Sequence, residues 1–185
     1  MHSTPSPSSQ KIAFFSLYKP SDGLNFAPKL LDLGWKILVT QNMSSVFSKS
    51  CIQAEEVSKF LEIQESYPFP PTLHPKMELA LTSSKTTTID LVFDTTYPLS
   101  EGNDVGGHTL IALAAKGNRI VVSNKKDMDK VIQQLIENEN NIDVDLRERL
   151  IAQAFEKNAS HYQELINHQE PNQAKSSHEL AEGEN

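Results

Sequence analysis

The sequence predicts an α/β domain, a three-layer sandwich in which helices cover both faces of a mainly parallel sheet. Short apolar runs alternate along the chain with segments of helical periodicity. The runs contain few polar residues, as is typical of strands that are buried on both faces. Strands that alternate with helices form βαβ units, and the strands of such units pair in parallel.

Four apolar runs predict strands, at residues 11–17, 36–40, 89–94 and 119–123. Helices are predicted over residues 25–33 and 109–116, each followed by a glycine, and from residue 43 onward. Two longer helices follow, at residues 128–136 and 146–166, where apolar residues recur at spacings of three and four. Asp143 or Asp145 is the expected N-cap of the last helix.

The 185 residues suffice for one domain with a core of its own. Residues 1–10 are rich in Ser and Pro, and residues 169–185 contain almost nothing to bury. Segments of that composition remain disordered because they cannot offset the entropy of ordering. We therefore expect a domain over residues 11–168 between two disordered ends.

Composition also excludes several classes of function. A net charge of −7 argues against nonspecific binding of nucleic acid. No run approaches the ~20 apolar residues of a membrane span, and the N-terminus lacks the pattern of a secretory signal. Cys51 is the only cysteine, which excludes an internal disulfide and a four-cysteine metal site. We expect a cytoplasmic protein without a metal, a membrane or a nucleic acid as its partner.

Ligands of parallel sheets bind beyond the carboxyl ends of the strands, so the turns there are the candidate sites. The turn after the first strand holds Ser16 and Lys19, which suit an anion, although an ordinary polar turn explains them equally well. The turn after the second strand holds Thr40 and Asn42 at a helix start. That position suits a phosphate, and a simple N-cap is the alternative.

Two further loops carry candidate groups. The proline-rich segment 68–76 contains His74, which titrates near neutral pH and is otherwise a structural or solvated histidine. The segment 103–109 places Asp104 before Gly106 and Gly107, with Lys116 about two turns further on. Paired glycines let backbone N–H groups approach a ligand. A glycine-rich turn with a capping Asp and a solvated Lys is the alternative.

Taken in order, these segments resemble the cyclohydrolase half of the AICAR transformylase/IMP cyclohydrolase family. The resemblance rests on TLHPK at 72–76, IDLV at 89–92, YP at 97–98, DVGGHTL at 104–110 with AAK at 114–116, and LRERL at 146–150. It extends from residue 11 to residue 168 and implies a methylglyoxal-synthase-like fold. It ends where the transformylase half of the family would begin, and we expect that half to be absent.

The resemblance implies an activity and a set of site residues. The family closes a formamide onto a neighbouring carboxamide with loss of water, giving IMP, and uses no metal and no cofactor. The implied partners are a small phosphorylated purine-precursor ligand and a second copy of the chain in a homodimer. Catalytic roles are implied for Tyr97, Asp104, Lys116 and His74. Substrate binding is assigned to Ser16, Lys19, Thr40, Asn42, Thr72, Thr95, Gly106 and Gly107.

Several positions depart from the family pattern. Phe69 and Pro71 stand where the family has an Arg and a Lys, and the glycine-rich phosphate turn is replaced by residues 40–43. Three hypotheses follow. The chain is a diverged cyclohydrolase acting on the family's ribotide or a related amide, or an inactive or repurposed paralogue that binds a nucleotide-like ligand or a partner protein. A related lyase such as methylglyoxal synthase is the third, and the sequence shows no matching Asp motif for it.

The enzymatic hypothesis requires a particular geometry. Tyr97, Asp104 and Lys116 must converge in one pocket at the carboxyl edge of the sheet.

Overall fold

A computed structural model describes residues 10–64, 67–83 and 87–182, with side chains described as far as residue 168. In this part of the chain five parallel strands form one sheet with the order β3-β2-β1-β4-β5. The strands are β1 Ile12–Leu17, β2 Lys36–Val39, β3 Glu55–Glu56, β4 Leu91–Thr95 and β5 Ile120–Val122. This confirms the predicted α/β class, and the two-residue β3 is a strand that the apolar pattern did not predict.

Helices connect the strands. They are α1 Ala27–Asp32, α2 Gln41–Lys49, α3 Val57–Phe60, α4 Pro75–Thr82, α5 Val105–Lys116, α6 Lys125–Glu137 and α7 Val144–Glu182. The helices α3 and α4 were not predicted, because the prolines before α4 indicated only an irregular loop. Instead, Pro75 opens α4 in the first turn, where a missing N–H costs little.

Side chains alternate between the two faces of the sheet with the period of two that a strand imposes. Along β1, Ala13, Phe15 and Leu17 join the core that includes residues of α1, α2 and α6. Ile12 and Phe14 join the opposite core, formed with α3, α4, α5 and Ala154 of α7. Both faces are therefore covered, which explains why the strands contain apolar residues in succession.

Side-chain caps fix where the long helices begin. The N–H of Leu146 donates to Asp143 Oδ1 at 2.6 Å, so Asp143 is the cap of α7 that the sequence offered beside Asp145. Asn124 caps α6 by accepting from the N–H of Asp127 at 3.0 Å. Each bond satisfies an N–H that has no partner inside its helix.

The predicted limits of the domain lie at residues 11 and 168. The predicted boundary between residues 168 and 169 falls within α7, whose backbone continues to Glu182. The N-terminal segment 1–9 and residues 183–185 lie outside the described residues, so the predicted domain limits stay predictions. Within the described ranges no helix is both long enough and apolar enough to cross a membrane.

The packing of α5 against α4 gives the first testable prediction. A Cβ atom at Gly117 would lie 2.0 Å from the carbonyl oxygen of Leu81, a backbone atom that cannot swing away. We expect Gly117→Ala to lower the free energy of unfolding by about 1–3 kcal/mol, as overpacking does. Ser50→Ala, at the exposed end of α2, is the control and should change it by less than about 0.5 kcal/mol in chemical denaturation. Equal stability of both variants would contradict the close approach.

Candidate functional site

The turns beyond the carboxyl ends of β1, β2 and β4 enclose a cavity of about 730 Å³. Loops before α4 and α5 complete its wall. The lining residues are Ser16, Leu17, Tyr18, Thr40, Gln41, Asn42, Val57, Ser58, Pro70, Pro71, Thr72, Leu73, Thr95, Tyr97, Glu101, Gly102, Asn103, Asp104, Val105, Gly106 and Gly107. Its volume is that of a typical small-molecule site.

Nine of the twelve predicted site residues line this cavity. They are Ser16, Thr40, Asn42, Thr72, Thr95, Tyr97, Asp104, Gly106 and Gly107. Their sequence separation is large, and the parallel sheet brings them together because all its strands end at one edge. Lys19, His74 and Lys116 are outside the lining. The roles of all twelve stay predictions.

Asp104 organises the edge of the cavity. Its Oδ1 accepts from the N–H of Gly107 at 2.7 Å, and its Oδ2 accepts from the N–H of Tyr97 at 3.0 Å. The first bond caps α5, which begins at Val105 rather than at the predicted Thr109. The second bond holds the Tyr97 backbone against the start of that helix. The carboxylate is therefore both a helix cap and the link between two segments of the site.

Gly106 and Gly107 are required by close contacts. A Cβ at Gly106 would lie 2.7 Å from Thr72 Oγ1, and one at Gly107 would lie 2.6 Å from Asp104 Oδ2. Thr72 is buried, and its hydroxyl has no hydrogen-bond partner among the described residues. A buried polar atom without a partner beside a cavity is a natural contact for a ligand.

Lys116 does not line the cavity, contrary to the expected convergence. It lies at the far end of α5, twelve residues beyond Asp104, and a helix rises about 1.5 Å per residue. Its Nζ lies 3.4 Å from Glu78 Oε1 in an exposed ion pair. The expectation that Lys116 meets Tyr97 and Asp104 in one pocket is wrong for Lys116, because the helix axis leads away from the cavity.

His74 and Lys19 also lie apart from the cavity. His74 caps α4, its Nδ1 accepting from the N–H of Lys76 at 3.1 Å, and its ring packs edge-on against Tyr67. Lys19 is exposed and precedes the 3-10 turn Pro20–Gly23. The position of His74 agrees with the structural alternative that the sequence left open.

The start of α2 contributes polar groups to the opposite wall. Thr40 occupies the N-cap position without a side-chain bond to the helix backbone. Its hydroxyl instead donates to Asn42 Oδ1. Gln41 and Asn42 also line the cavity, and N–H groups of a first helical turn have no partner within the helix.

Two tyrosines form an aromatic wall. The rings of Tyr18 and Tyr97 pack edge to face with centroids 5.3 Å apart. The Tyr18 hydroxyl donates to Glu101 Oε1, and this hydrogen bond raises the pKa of the Tyr18 phenol. Tyr18 thus ties the turn after β1 to the loop before α5 across the mouth of the cavity.

A buried carboxyl group lies behind the lining. Asp94 is 1% exposed, and its Oδ1 has no hydrogen-bond partner among the described residues. It pairs in register with Ser16 on the neighbouring strand, so both side chains lie on the same face of the sheet. Burial raises the pKa of Asp94 to about 7, against a hydrogen bond from Ser16 and the charge of Lys157, both of which lower it.

The helix α7 anchors the loop that carries Asp104. His108 Nδ1 lies 2.7 Å from Asn158 Oδ1, and Asn158 Nδ2 donates to the His108 carbonyl at 3.0 Å. His161 stacks on His108 with centroids 3.7 Å apart, and its Nε2 lies 3.0 Å from Asn103 Oδ1. Burial lowers the pKa of His108, which favours its neutral form. The loop is thereby held from behind.

Comparison with known proteins gives a distant but extensive similarity. No family model matches the chain. This chain is similar to the bifunctional purine biosynthesis protein PurH of Lactococcus lactis subsp. cremoris, strains MG1363 and SK11. The identity is 28% in an alignment 187 residues long, gaps included, which covers 84% of this chain. The chain spans about a third of the PurH length, 35%. It is similar to a PurH-related domain.

A solved structure supports the fold. The crystal structure of ForH superposes with a TM-score of 0.68 and 21% sequence identity, over 86% of this chain and 98% of that chain. The five-strand parallel sheet with helices on both faces is consistent with the methylglyoxal-synthase-like fold that the sequence resemblance implies. The similarity to PurH therefore concerns one domain of that protein, since the chain spans 35% of its length.

Four residues of the site were missed by sequence reasoning: Tyr18, Asp94, Glu101 and Lys157. Asp94 ends a predicted strand, and a charged residue at the carboxyl end of a buried strand is a signal that a sequence can supply. Lys157 lies on α7, far along the chain, and nothing local connects it with Asp94. Its pKa is lowered by burial, and the nearby carboxylates Asp94 and Asp104 act in the opposite direction.

Within the described residues no group of three or more His, Cys, Asp or Glu side chains is placed to hold a metal. The predicted absence of a metal and of a cofactor stays a prediction.

Asp94 predicts an unusual dependence of stability on pH. Its folded pKa of about 7 lies above its ordinary value, so the folded state binds the proton more tightly than the unfolded state. Stability from this group is therefore present at low pH and is lost as the pH rises towards 7. As the pH rises from 4 to 8, the unmodified protein should lose this stability and Asp94→Asn should not. The free energy of unfolding of Asp94→Asn relative to the unmodified protein should therefore rise by up to about 4 kcal/mol.

The measurement is chemical denaturation of both proteins at a series of pH values. Asp129→Asn, at an exposed position on α6, is the matched control and should change the free energy of unfolding by less than about 0.5 kcal/mol. A flat difference for Asp94→Asn would show that the Asp94 carboxyl is not buried in solution.

Proposed function

We propose that this chain is a purine-biosynthesis-related domain whose cavity binds a carboxamide of the purine-precursor type and closes its ring with loss of water. The proposal is supported by the position of Asp104 and Tyr97. Both line the same cavity, joined by a bond of 3.0 Å between the Tyr97 N–H and Asp104 Oδ2. They lie in two of the segments through which the chain resembles IMP cyclohydrolase, and the similarity to PurH covers 84% of the chain.

Ring closure requires a proton acceptor and a donor to the oxygen that develops charge. The carboxamide nitrogen attacks the formyl carbon, a C–N bond forms, and the nitrogen loses a proton. Asp104 suits the acceptor role, because a carboxylate has about four lone-pair sites and only two are used by Gly107 and Tyr97. The formyl oxygen takes up protons from the two nitrogens and leaves as water.

The Tyr97 phenol is the proposed donor to the developing oxyanion. Tyr97 is 43% exposed, and its backbone is fixed by Asp104, so the ring stands at the cavity mouth beside Tyr18. Val57, Leu73 and Leu17 supply apolar wall, which lowers the local dielectric and strengthens such a hydrogen bond. Positioning the two reacting groups accounts for much of the rate in a reaction of this kind.

Binding without turnover is the second candidate. One observation favours it: the exposed ion pair of Lys116 with Glu78 leaves Asp104 and Tyr97 without the lysine that the resemblance implies. A paralogue that binds a carboxamide without closing the ring would need the same cavity but no proton transfer. The two candidates differ in one measurable respect, which is product formation.

The decisive assay follows cyclisation of a formamido-imidazole-carboxamide, supplied both as riboside and as 5′-monophosphate, by separation of substrate and product. Asp104→Asn preserves the shape of the side chain but removes its basicity, so we expect turnover to fall by about 10²-fold or more. Lys116→Ala should leave turnover within about twofold, because the side chain lies outside the cavity.

Thermal melting of each variant controls for loss of the α5 cap. The enzymatic proposal is contradicted if no product forms with either substrate while one of them still binds, and that outcome selects the binding candidate. A severe loss in Lys116→Ala with normal melting would contradict the geometry assigned to the site.

A further inference from the structure

The charge of the cavity is one-sided. Among the described residues that line it, Glu101 and Asp104 are the charged side chains, and both are negative. The buried carboxyl of Asp94 lies just behind Ser16 on the same side. The Arg and the Lys that the resemblance would lead one to expect here are Phe69 and Pro71. Among the described residues, the wall therefore has acceptors for N–H and O–H groups and lacks a cation to pair with an anion.

Lys157 and Lys125 both have partners outside the cavity lining. Lys157 Nζ donates to the Ser123 carbonyl at 3.1 Å and acts on Asp94 and Asp104 from behind the wall. Lys125 pairs with Asp22 at 3.5 Å. Lys19 is exposed and outside the lining. None of these three lysines lines the cavity.

Three of the neutral donors that would suit a phosphate are already occupied. The Ser16 hydroxyl bonds to Asp94, and the Thr40 hydroxyl donates its single proton to Asn42. At the start of α5, the protein's own Asp104 carboxylate accepts from Gly107, where an anionic ligand would otherwise bind. The Asp104 carboxylate is thus the anion at the N-terminus of α5.

The start of α2 and the unpartnered Thr72 hydroxyl are the attractions that remain for an anion among the described residues, and the hydroxyl carries no charge. A helix N-terminus carries about half a positive charge. A phosphate monoester carries about two negative charges at neutral pH, so this half charge does not balance it. The repulsion from Glu101 and Asp104 adds to the deficit, and it is strongest at low ionic strength.

We propose that the cavity selects an uncharged, riboside-level carboxamide over its 5′-phosphorylated form. This rests on the proposed function for the carboxamide itself and goes beyond it in naming the charge state of the substrate. The flat ring would pack against Tyr18 and Tyr97, a pair 5.3 Å apart at the mouth. Ribose hydroxyls and amide N–H groups would donate to Glu101 and Asp104, which accept such bonds well.

The probes are imidazole-carboxamide riboside and its 5′-monophosphate, titrated into the full-length protein by calorimetry at low and at physiological salt. We expect the riboside to bind at least about tenfold more tightly at low salt, with the gap narrowing as salt screens the repulsion. The formylated counterparts of both probes, supplied in the cyclisation assay, should show the same order.

One substitution should weaken or abolish the preference. Pro71→Lys adds a cation to the lining, and we expect it to shift the ratio of the two affinities at least about tenfold towards the monophosphate. Gln133→Lys adds the same charge on an exposed face of α6 and is the matched control, with the ratio unchanged. Melting curves confirm that both variants fold.

Equal or tighter binding of the monophosphate by the unmodified chain would overturn this inference and leave the proposed function standing. Absence of binding and of turnover with both probes would overturn the proposed function, and the inference with it. A ratio that moves equally in Pro71→Lys and Gln133→Lys would show that overall charge, rather than the cavity, sets the preference, and would also overturn it.

Discussion

The Asp104 carboxylate is the group on which the geometry of the site depends. It caps α5 through Gly107 and fixes the Tyr97 backbone at 3.0 Å, so one side chain joins two segments that leave the sheet at different points. The two contacts also position the carboxylate itself, with lone pairs left towards the cavity. From behind, His161 and Asn158 of α7 hold the same loop. A reactive group held this firmly needs little reorganisation when a ligand binds.

Acidic groups and apolar surface together define what the cavity can recognise. The fold supplies two helix N-termini at the carboxyl edge of the sheet, and either would ordinarily attract an anion. At α5 the protein fills that place with Asp104, and at the mouth it adds Glu101 tied to Tyr18. The same scaffold that suits a phosphate is thereby made unfavourable to one, through side chains alone. The contrast shows how function is set by the site rather than by the fold.

Burial of Asp94 and Lys157 beside the cavity costs free energy, because both side chains lose hydration. A carboxyl group that is 1% exposed loses its hydration, and burial raises its pKa to about 7. The half-buried Lys157 offsets part of that cost and loses hydration in turn. A buried carboxyl with a shifted pKa beside a cavity is a feature that functional sites often share.

Local pattern determined the α/β class, four of the strands and the periodic helices, because buried runs and helical spacing are properties of neighbouring residues. Local pattern and the family resemblance together located nine of the residues that line the cavity, most of which follow a strand or open a helix. Local pattern missed β3, α3 and α4, which are short and have little periodicity. Only the tertiary structure decided that Lys116 points away, that His74 is a cap, and that Lys157 lies behind Asp94. Those outcomes depend on the direction of helices and on contacts between distant segments, which spacing along the chain does not encode.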